Sequence, residues 1–275
     1  MCHSLRKKMA WMETRFRILR LDEVDSTNSY ARRLAEGGAP DGTVVVARKQ
    51  TSGKGRLGRQ WHSSGDFGLW FSVLLRPEFD PRFAGMLGIS AGVAVAQAAR
   101  SIAGVDAVLK WPNDVLIEGR KVCGILAEGC TAGRRLEWAV VGIGINVTLP
   151  GGGFPPELED VATALSQHCA CGAEGSALDK DILLDAVLGE FGARYAMLHE
   201  GGTRLVRDEA AGLMECFLGR RVTIRGEFGV LQVRALDLLE DGALLVKPDG
   251  GEMMQITAAD VSIGTCARER GEEDA

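Results

Sequence analysis

The segment Gln50-Thr51-Ser52-Gly53-Lys54-Gly55-Arg56-Leu57-Gly58-Arg59-Gln60-Trp61 holds the densest chemistry in the chain. Three glycines within six residues free the backbone and let amide N–H groups approach phosphate oxygens closely. Lys54, Arg56 and Arg59 add positive charge, and Trp61 adds a face on which a base can stack. The segment reads as a loop that closes over a nucleotide. Its G-x-G-x-x-G spacing is weak by itself, and a dinucleotide fingerprint needs a helix directly after the glycines. Here Arg59 to Gly65 reads as more loop, and no G-x-x-x-x-G-K followed by Ser or Thr occurs anywhere in the chain. The plain alternative is a solvated basic loop.

Four further segments place polar residues where a strand or hairpin would favour apolar ones. Lys110-Trp111-Pro112-Asn113-Asp114 sets a cation, an amide and a carboxylate around a proline-fixed turn, although Asn and Asp also favour turns for their own reasons. Lys121 stands at the mouth of a hairpin, three residues before Gly124, which can let a ligand approach the backbone; a solvated turn lysine is the simpler reading. Gly142-Ile143-Gly144-Ile145-Asn146 puts two glycines inside an apolar strand, where they cost stability unless something packs closely, either a ligand or a neighbouring strand. The hydroxyls of Ser26 and Thr27 can cap a helix or bind a polar ligand head.

The elements that must position these groups are legible from periodicity. Asp25 to Asn28 precedes a helical run from Ser29 to Glu36 that stops at Gly37-Gly38. Thr43 to Ala47 is a buried strand leading into the glycine loop, and Leu69 to Leu75 is the strand leaving it. Arg82 to Ile102 has helical length, Val108 to Trp111 resumes a strand, and 114–128 reads as an antiparallel hairpin turning at Glu118 to Lys121. Glu137 to Val147 is a further strand, Leu149 to Pro156 a surface connection, and Ile182 to Met197 and Arg204 to Phe217 are helices. Past Gly219 the texture changes to short strands at 221–224, 229–235, 243–246 and 253–256, with turns at Asp241-Gly242 and Asp249-Gly250, which is a small all-β module.

With 275 residues, 46% hydrophobic and 25% charged, the chain is an ordinary globular protein. A formal net charge of −5 argues against nonspecific DNA or membrane binding, so the basic loop suits a small anion. Apolar runs such as Ala91 to Ala96 are far shorter than a membrane span, and no signal-peptide pattern follows the basic N-terminus. Seven cysteines without C-x-x-C fit reduced thiols, hence a cytoplasmic home. His168-Cys169-Ala170-Cys171 has no common zinc spacing.

Taken together, these motifs resemble the biotin protein ligases in order and spacing from about Phe16 to Gly264, resting on Asp25 to Asn28, Gln50 to Trp61, Lys110 to Asp114, Gly119 to Leu126 and Gly142 to Asn146. The resemblance implies an α+β fold: a mixed, mainly antiparallel sheet with flanking helices, class II synthetase-like, over 16–217, then a small C-terminal SH3-like β-barrel over 218–267. Residues 1–15 would be an N-terminal extension and 268–275 a disordered tail. It implies that biotin and ATP, with Mg²⁺, give biotinyl-5′-AMP, from which the biotinyl group passes to a lysine of a biotin carboxyl-carrier protein. On that pattern Ser26, Thr27, Asn28, Gln50, Gly53, Lys54, Gly55, Arg56, Lys121, Gly124 and Gly144 bind biotin. Lys54, Arg56, Arg59, Trp61, Asn113 and Asn146 bind ATP, Asp114 serves the metal, and Lys121 and Arg56 are catalytic. Lys54 stands where the family usually has arginine and Leu57 where a basic residue is frequent, which implies activity with weaker adenylate retention. With about 15 residues before the core, the expectation is a monofunctional ligase without repressor activity, and a homodimer is possible by analogy. Lipoate ligases share the fold and adenylate chemistry, but the glycine-basic loop and terminal β-module are those of the biotin branch. A regulator that binds nucleotide without transferring anything is the non-enzymatic alternative.

Overall fold

The computed structural model describes residues 16–169, 178–214, 217–226 and 229–263; the expected extension, the expected tail, and Ala170 and Cys171 lie outside the described residues. A seven-stranded sheet organises the first part of the chain: β1 (Arg17–Val24), β2 (Thr43–Gln50), β3 (Gly68–Leu75), β4 (Ala107–Lys110), β5 (Asp114–Ile117), β6 (Arg120–Ala132) and β7 (Arg135–Asn146). Their spatial order is β1-β2-β3-β7-β6-β5-β4; only β1 and β2 run parallel. The sheet is therefore mixed and mainly antiparallel, as the hairpin signals imply. β1 is the strand that periodicity passes over, because seven of its eight residues are outside the core and its sequence, with Ile18-Leu19 and Asp22-Glu23 side by side, keeps no two-residue alternation.

Strand alternation explains the two faces. Val44, Val46, Phe71, Val73 and Leu75 enter the large core with the long helices α2 (Gly85–Ala103) and α3 (Lys180–His199) and with α4 (Thr203–Leu213). Val45, Leu74, Trp138 and Val140 point the other way, where Ala31 and Ala35 of α1 (Thr27–Glu36) cover them. α1 covers one stretch of that face, leaving the ends of β6 and β7 open beside it for a cleft. By length and composition, Pro81–Ala103 is apolar enough to cross a membrane, more so than the short runs read from the sequence. Its residues are mostly buried in the large core, which accounts for their character. Helix α4 ends at Leu213, short of the expected Phe217, with 215–216 outside the described residues.

The C-terminal strands β8 (Arg221–Gly226), β9 (Gly229–Leu238), β10 (Leu244–Pro248), β11 (Met254–Ile256) and β12 (Asp260–Ile263) form an antiparallel sheet ordered β11-β10-β9-β8-β12. Among the described residues it is an open sheet; the expected barrel closure between β11 and β12 is not among its pairings. β12 has no turn dipeptide to announce it. This sheet shares the large core through Val222, Ile224, Leu244 and Val246, and Trp111 Nε1 donates to Gly242 O at 2.9 Å across the junction. Trp111 follows β4 and is 1% exposed, so this bond is shielded from water. Trp111→Phe keeps an aromatic ring but removes the indole N–H and part of the buried volume, leaving the Gly242 carbonyl unpaired beside a small cavity; we expect a loss of about 2–4 kcal/mol in urea unfolding, with an unchanged denaturant slope.

Candidate active site

The cleft opens over the ends of β6 and β7 and has a volume of about 460 Å³. Its floor exists because Gly124 and Gly144 face each other in register, and neither has a side chain to fill the space. A Cβ on Gly144 would lie 2.5 Å from Trp61 Nε1, and one on Gly124 would lie 2.8 Å from Trp61 Cζ3. The Trp61 ring thus lies directly on the glycine pair, edge-on to buried Trp70 at a centroid distance of 6.3 Å, with Lys121 Nζ 5.2 Å from its centroid. Its Nε1 is buried with no acceptor.

One wall is a hydrogen-bonded relay. Thr27 N and Thr27 Oγ1 donate to Gln50 Oε1 at 2.8 and 3.2 Å, and Gln50 Nε2 donates to Ser63 Oγ at 2.9 Å. Ser72 Oγ lies 2.8 Å from Thr27 Oγ1 and 2.6 Å from Asn28 Oδ1. Asn28 Nδ2 donates to Leu126 O and Glu128 Oε2, so its amide is a strut between α1 and β6. Gly142 is the seat of that strut, since a Cβ there would meet Asn28 Oδ1 at 1.9 Å. Ser26 is the N-cap residue of α1, yet its hydroxyl makes no capping bond. Asp25 instead accepts a two-pronged bond from Arg33, which holds its carboxyl below the usual range.

The opposite end is ionic. Lys121 Nζ lies 2.5 Å from Asp114 Oδ1, an ion pair rather than an aligned hydrogen bond, and that oxygen is otherwise buried without a donor. Arg56 donates to Asn113 Oδ1 at 3.1 Å and to Ala259 O at 3.3 Å, while Arg59 pairs with Asp260. Burial pushes the Arg56 guanidinium down from its ordinary value, against the opposing pull of Asp260 and Asp114. A half-desolvated cation of this kind gains strongly from an incoming anion.

The cleft gathers Ser26, Thr27, Asn28, Gln50, Lys54, Gly55, Arg56, Arg59, Trp61, Asn113, Asp114, Lys121, Gly124, Gly144 and Asn146 from the sequence-predicted set. Gly53 is not among its lining residues: it is buried in the loop, where a Cβ would come within 2.3 Å of Ser63 Oγ. Lys54 is exposed, and Leu57 sits at the loop tip with φ of 55° and 71% exposure. Asn146 Nδ2 donates to Thr163 O at 3.0 Å, which leaves its carbonyl oxygen as an acceptor. Sequence reasoning missed one wall. Phe154 comes from the stretch that reads as a surface connection, and Leu158, Asp160 and Val161 from the residues just after it; the segment is fastened by Lys121 N donating to Val161 O and Thr163 N donating to Lys121 O. Apolar Leu158 and Val161 amid Gly, Pro and acids were the available signal. Asp260 had none.

Residues 21–146 match the Biotin/lipoate A/B protein ligase family, and residues 217–264 match the Biotin protein ligase C terminal domain. The chain belongs to the biotin protein ligase family. It is 34% identical over 251 residues to a Paracoccus denitrificans protein named biotin–[acetyl-CoA-carboxylase] ligase, covering 89% of this chain and 99% of that one. It is 37% identical over 246 residues to the bifunctional ligase/repressor BirA of Bacillus subtilis, covering 88% of this chain and 73% of that protein. A solved biotin protein ligase from Aquifex aeolicus in complex with biotin and ATP superposes with a TM-score of 0.72 at 32% identity, covering 89% of this ligase and 97% of that chain.

Two outcomes follow for the floor. Gly144→Ala should expel the Trp61 ring, so we expect a red shift of tryptophan emission and roughly a tenfold or greater rise in the KM of the acid substrate, with the fold retained by circular dichroism. Cys123, on β6 beside this floor, is buried, and desolvation pushes its thiol up. Because the folded thiol ionises at higher pH than the unfolded one, its contribution to stability is intact below the unfolded value of about 8.5 and is lost as pH rises above it. We expect native Cys123 to resist iodoacetamide at pH 8.5 and to react on unfolding, as read by peptide mass mapping.

Proposed function

We propose that this ligase condenses biotin with ATP to biotinyl-5′-AMP and pyrophosphate, then transfers the biotinyl group to a lysine of the biotin carboxyl-carrier domain of a biotin-dependent carboxylase. The observation that carries the reading is the meeting, in one cleft, of a polar relay, a glycine floor and a cluster of cations. Ser26 and the relay residues Thr27 and Gln50 would hold the ureido head, and the glycine floor would take the apolar body of biotin once the Trp61 ring that lies on it swings aside. At the ionic end, Lys121 and Arg56 would bring the biotin carboxylate to the α-phosphate, with Lys54 and Arg59 sharing the polyphosphate charge. Carboxylate oxygen bonds to phosphorus as pyrophosphate leaves; the acceptor amine then bonds to the acyl carbon as AMP leaves. Asn113 and Asn146 would bind the nucleotide, with Asn146 Oδ1 offered to an amine edge.

The donor set fits Mg²⁺ carried in with ATP. Asp114 Oδ1 retains acceptor capacity at the ionic end, and among the described residues no group of three His, Cys, Asp or Glu could hold a metal by itself. When bound there, Mg²⁺ would offset charge on the polyphosphate. The five-stranded C-terminal sheet is read as the SH3-like module and the large sheet as class II synthetase-like. Edge strand β1, with Ile18 and Leu19 partly exposed, is the candidate surface for a homodimer. Free Cys123 and Cys130 suit a reducing cytoplasm.

Pyrophosphate release with ATP and Mg²⁺, comparing biotin, lipoate and octanoate, tests the reading. We expect release with biotin and a loss of roughly a hundredfold or more in Lys121→Ala. Release with lipoate alone would move the protein to the sister branch, and none with any acid would leave a binding module.

A further inference from the structure

The glycine loop reaches the C-terminal sheet through side chains. Gly55 N donates to Arg59 O, Trp61 N donates to Gly53 O, and Lys54 bridges to Gln60, so the loop is a short hairpin whose tip is Arg56–Gly58. No buried residue anchors that tip. Its two cations reach the C-terminal sheet instead: Arg56 donates to Ala259 O, and Arg59 forms a hydrogen-bonded ion pair with Asp260. Asp260 opens β12 in register with Arg225 of β8, so the carboxylate is mounted on paired sheet backbone rather than on a loop.

We propose that Asp260 is a positioning residue: a latch that ties the loop tip to the C-terminal sheet and retains the reactive adenylate beneath the loop. Its consequence for retention rests on the ligase reading above; the latch itself does not. The physical argument is one of reach and charge. Arg59 is 201 residues from Asp260 in sequence, yet both line the cleft, so the pair spans the mouth through which the adenylate would leave or water enter. With the Arg59 side chain 68% exposed and Asp260 at 21%, such a pair shifts an equilibrium a few-fold; it tunes opening of the loop without deciding the fold.

The test uses the full chain carrying Asp260→Ala, with Asp260→Asn as the isosteric alternative should the alanine variant not fold, and Asp260→Glu as the rescue. In the ligand-free protein, trypsin nicking after Lys54, Arg56 and Arg59 should quicken about fivefold. It should rise with salt in the parent protein and be flat in the variant, because screening already weakens the parent's ion pair. With biotin, ATP and Mg²⁺, free biotinyl-5′-AMP in solution per pyrophosphate formed should rise by a similar factor, the melting temperature should be unchanged, and Asp260→Glu should restore both readouts. Parent-like nicking and leakage in the variant would overturn the latch. If the parent makes no biotinyl-5′-AMP, the ligase reading fails and the trypsin arm still decides the latch.

Discussion

Several cations share one partly buried cleft, and like charges out of water cannot stay together without compensation. Lys121 is paired with Asp114, Arg59 with Asp260, and Arg56 with Asn113 and the Ala259 carbonyl. These partners come from β5 with the turn before it and from the start of β12, so the charge cluster can exist only where the glycine loop, the β5–β6 hairpin and the C-terminal sheet converge. An arriving polyphosphate would substitute for the partners rather than create a site from nothing. That is electrostatic preorganisation in its simplest form: Lys121, Arg56 and Arg59 are held in place, and Arg56 is half-desolvated, before the anion arrives.

The apolar half of the cleft follows the opposite rule and is made by leaving atoms out. Opposed Gly124 and Gly144 give a floor with no side chains, and Gly142 gives room to an Asn28 amide that joins α1 to β6. The cost of three glycines in central strands is offset by an indole and an amide packed onto the exposed backbone. The same helix that covers Val45, Leu74 and Val140 thus begins with the residues of the polar wall, so core packing and ligand geometry are set by one docking event.

Much of this was legible in sequence order. The glycine-cation loop, the flanking strands β2 and β3, the β5–β6 hairpin and the short-strand texture after Gly219 all announce themselves through local composition and period. β1 did not, because an exposed edge strand carries no core stripe, and β12 did not, because it is four residues long and follows no turn dipeptide. Of the wall from Phe154 to Val161, the part up to Pro156 looked like a linker and the rest matched no element, since what makes it a wall is backbone pairing to Lys121, which leaves no trace in residue type.

The sequence by itself determined which residue types could do the chemistry and in what order the chain presents them, because charge, glycine freedom and strand period are local properties. Tertiary structure decided their roles. It turned Asn28 into a strut, placed Gly53 inside the loop, laid Trp61 on the glycine floor and set Asp260 against Arg59. Each of those assignments depends on distances between segments 13 to 201 residues apart, and such distances are fixed only when the sheet and helices pack.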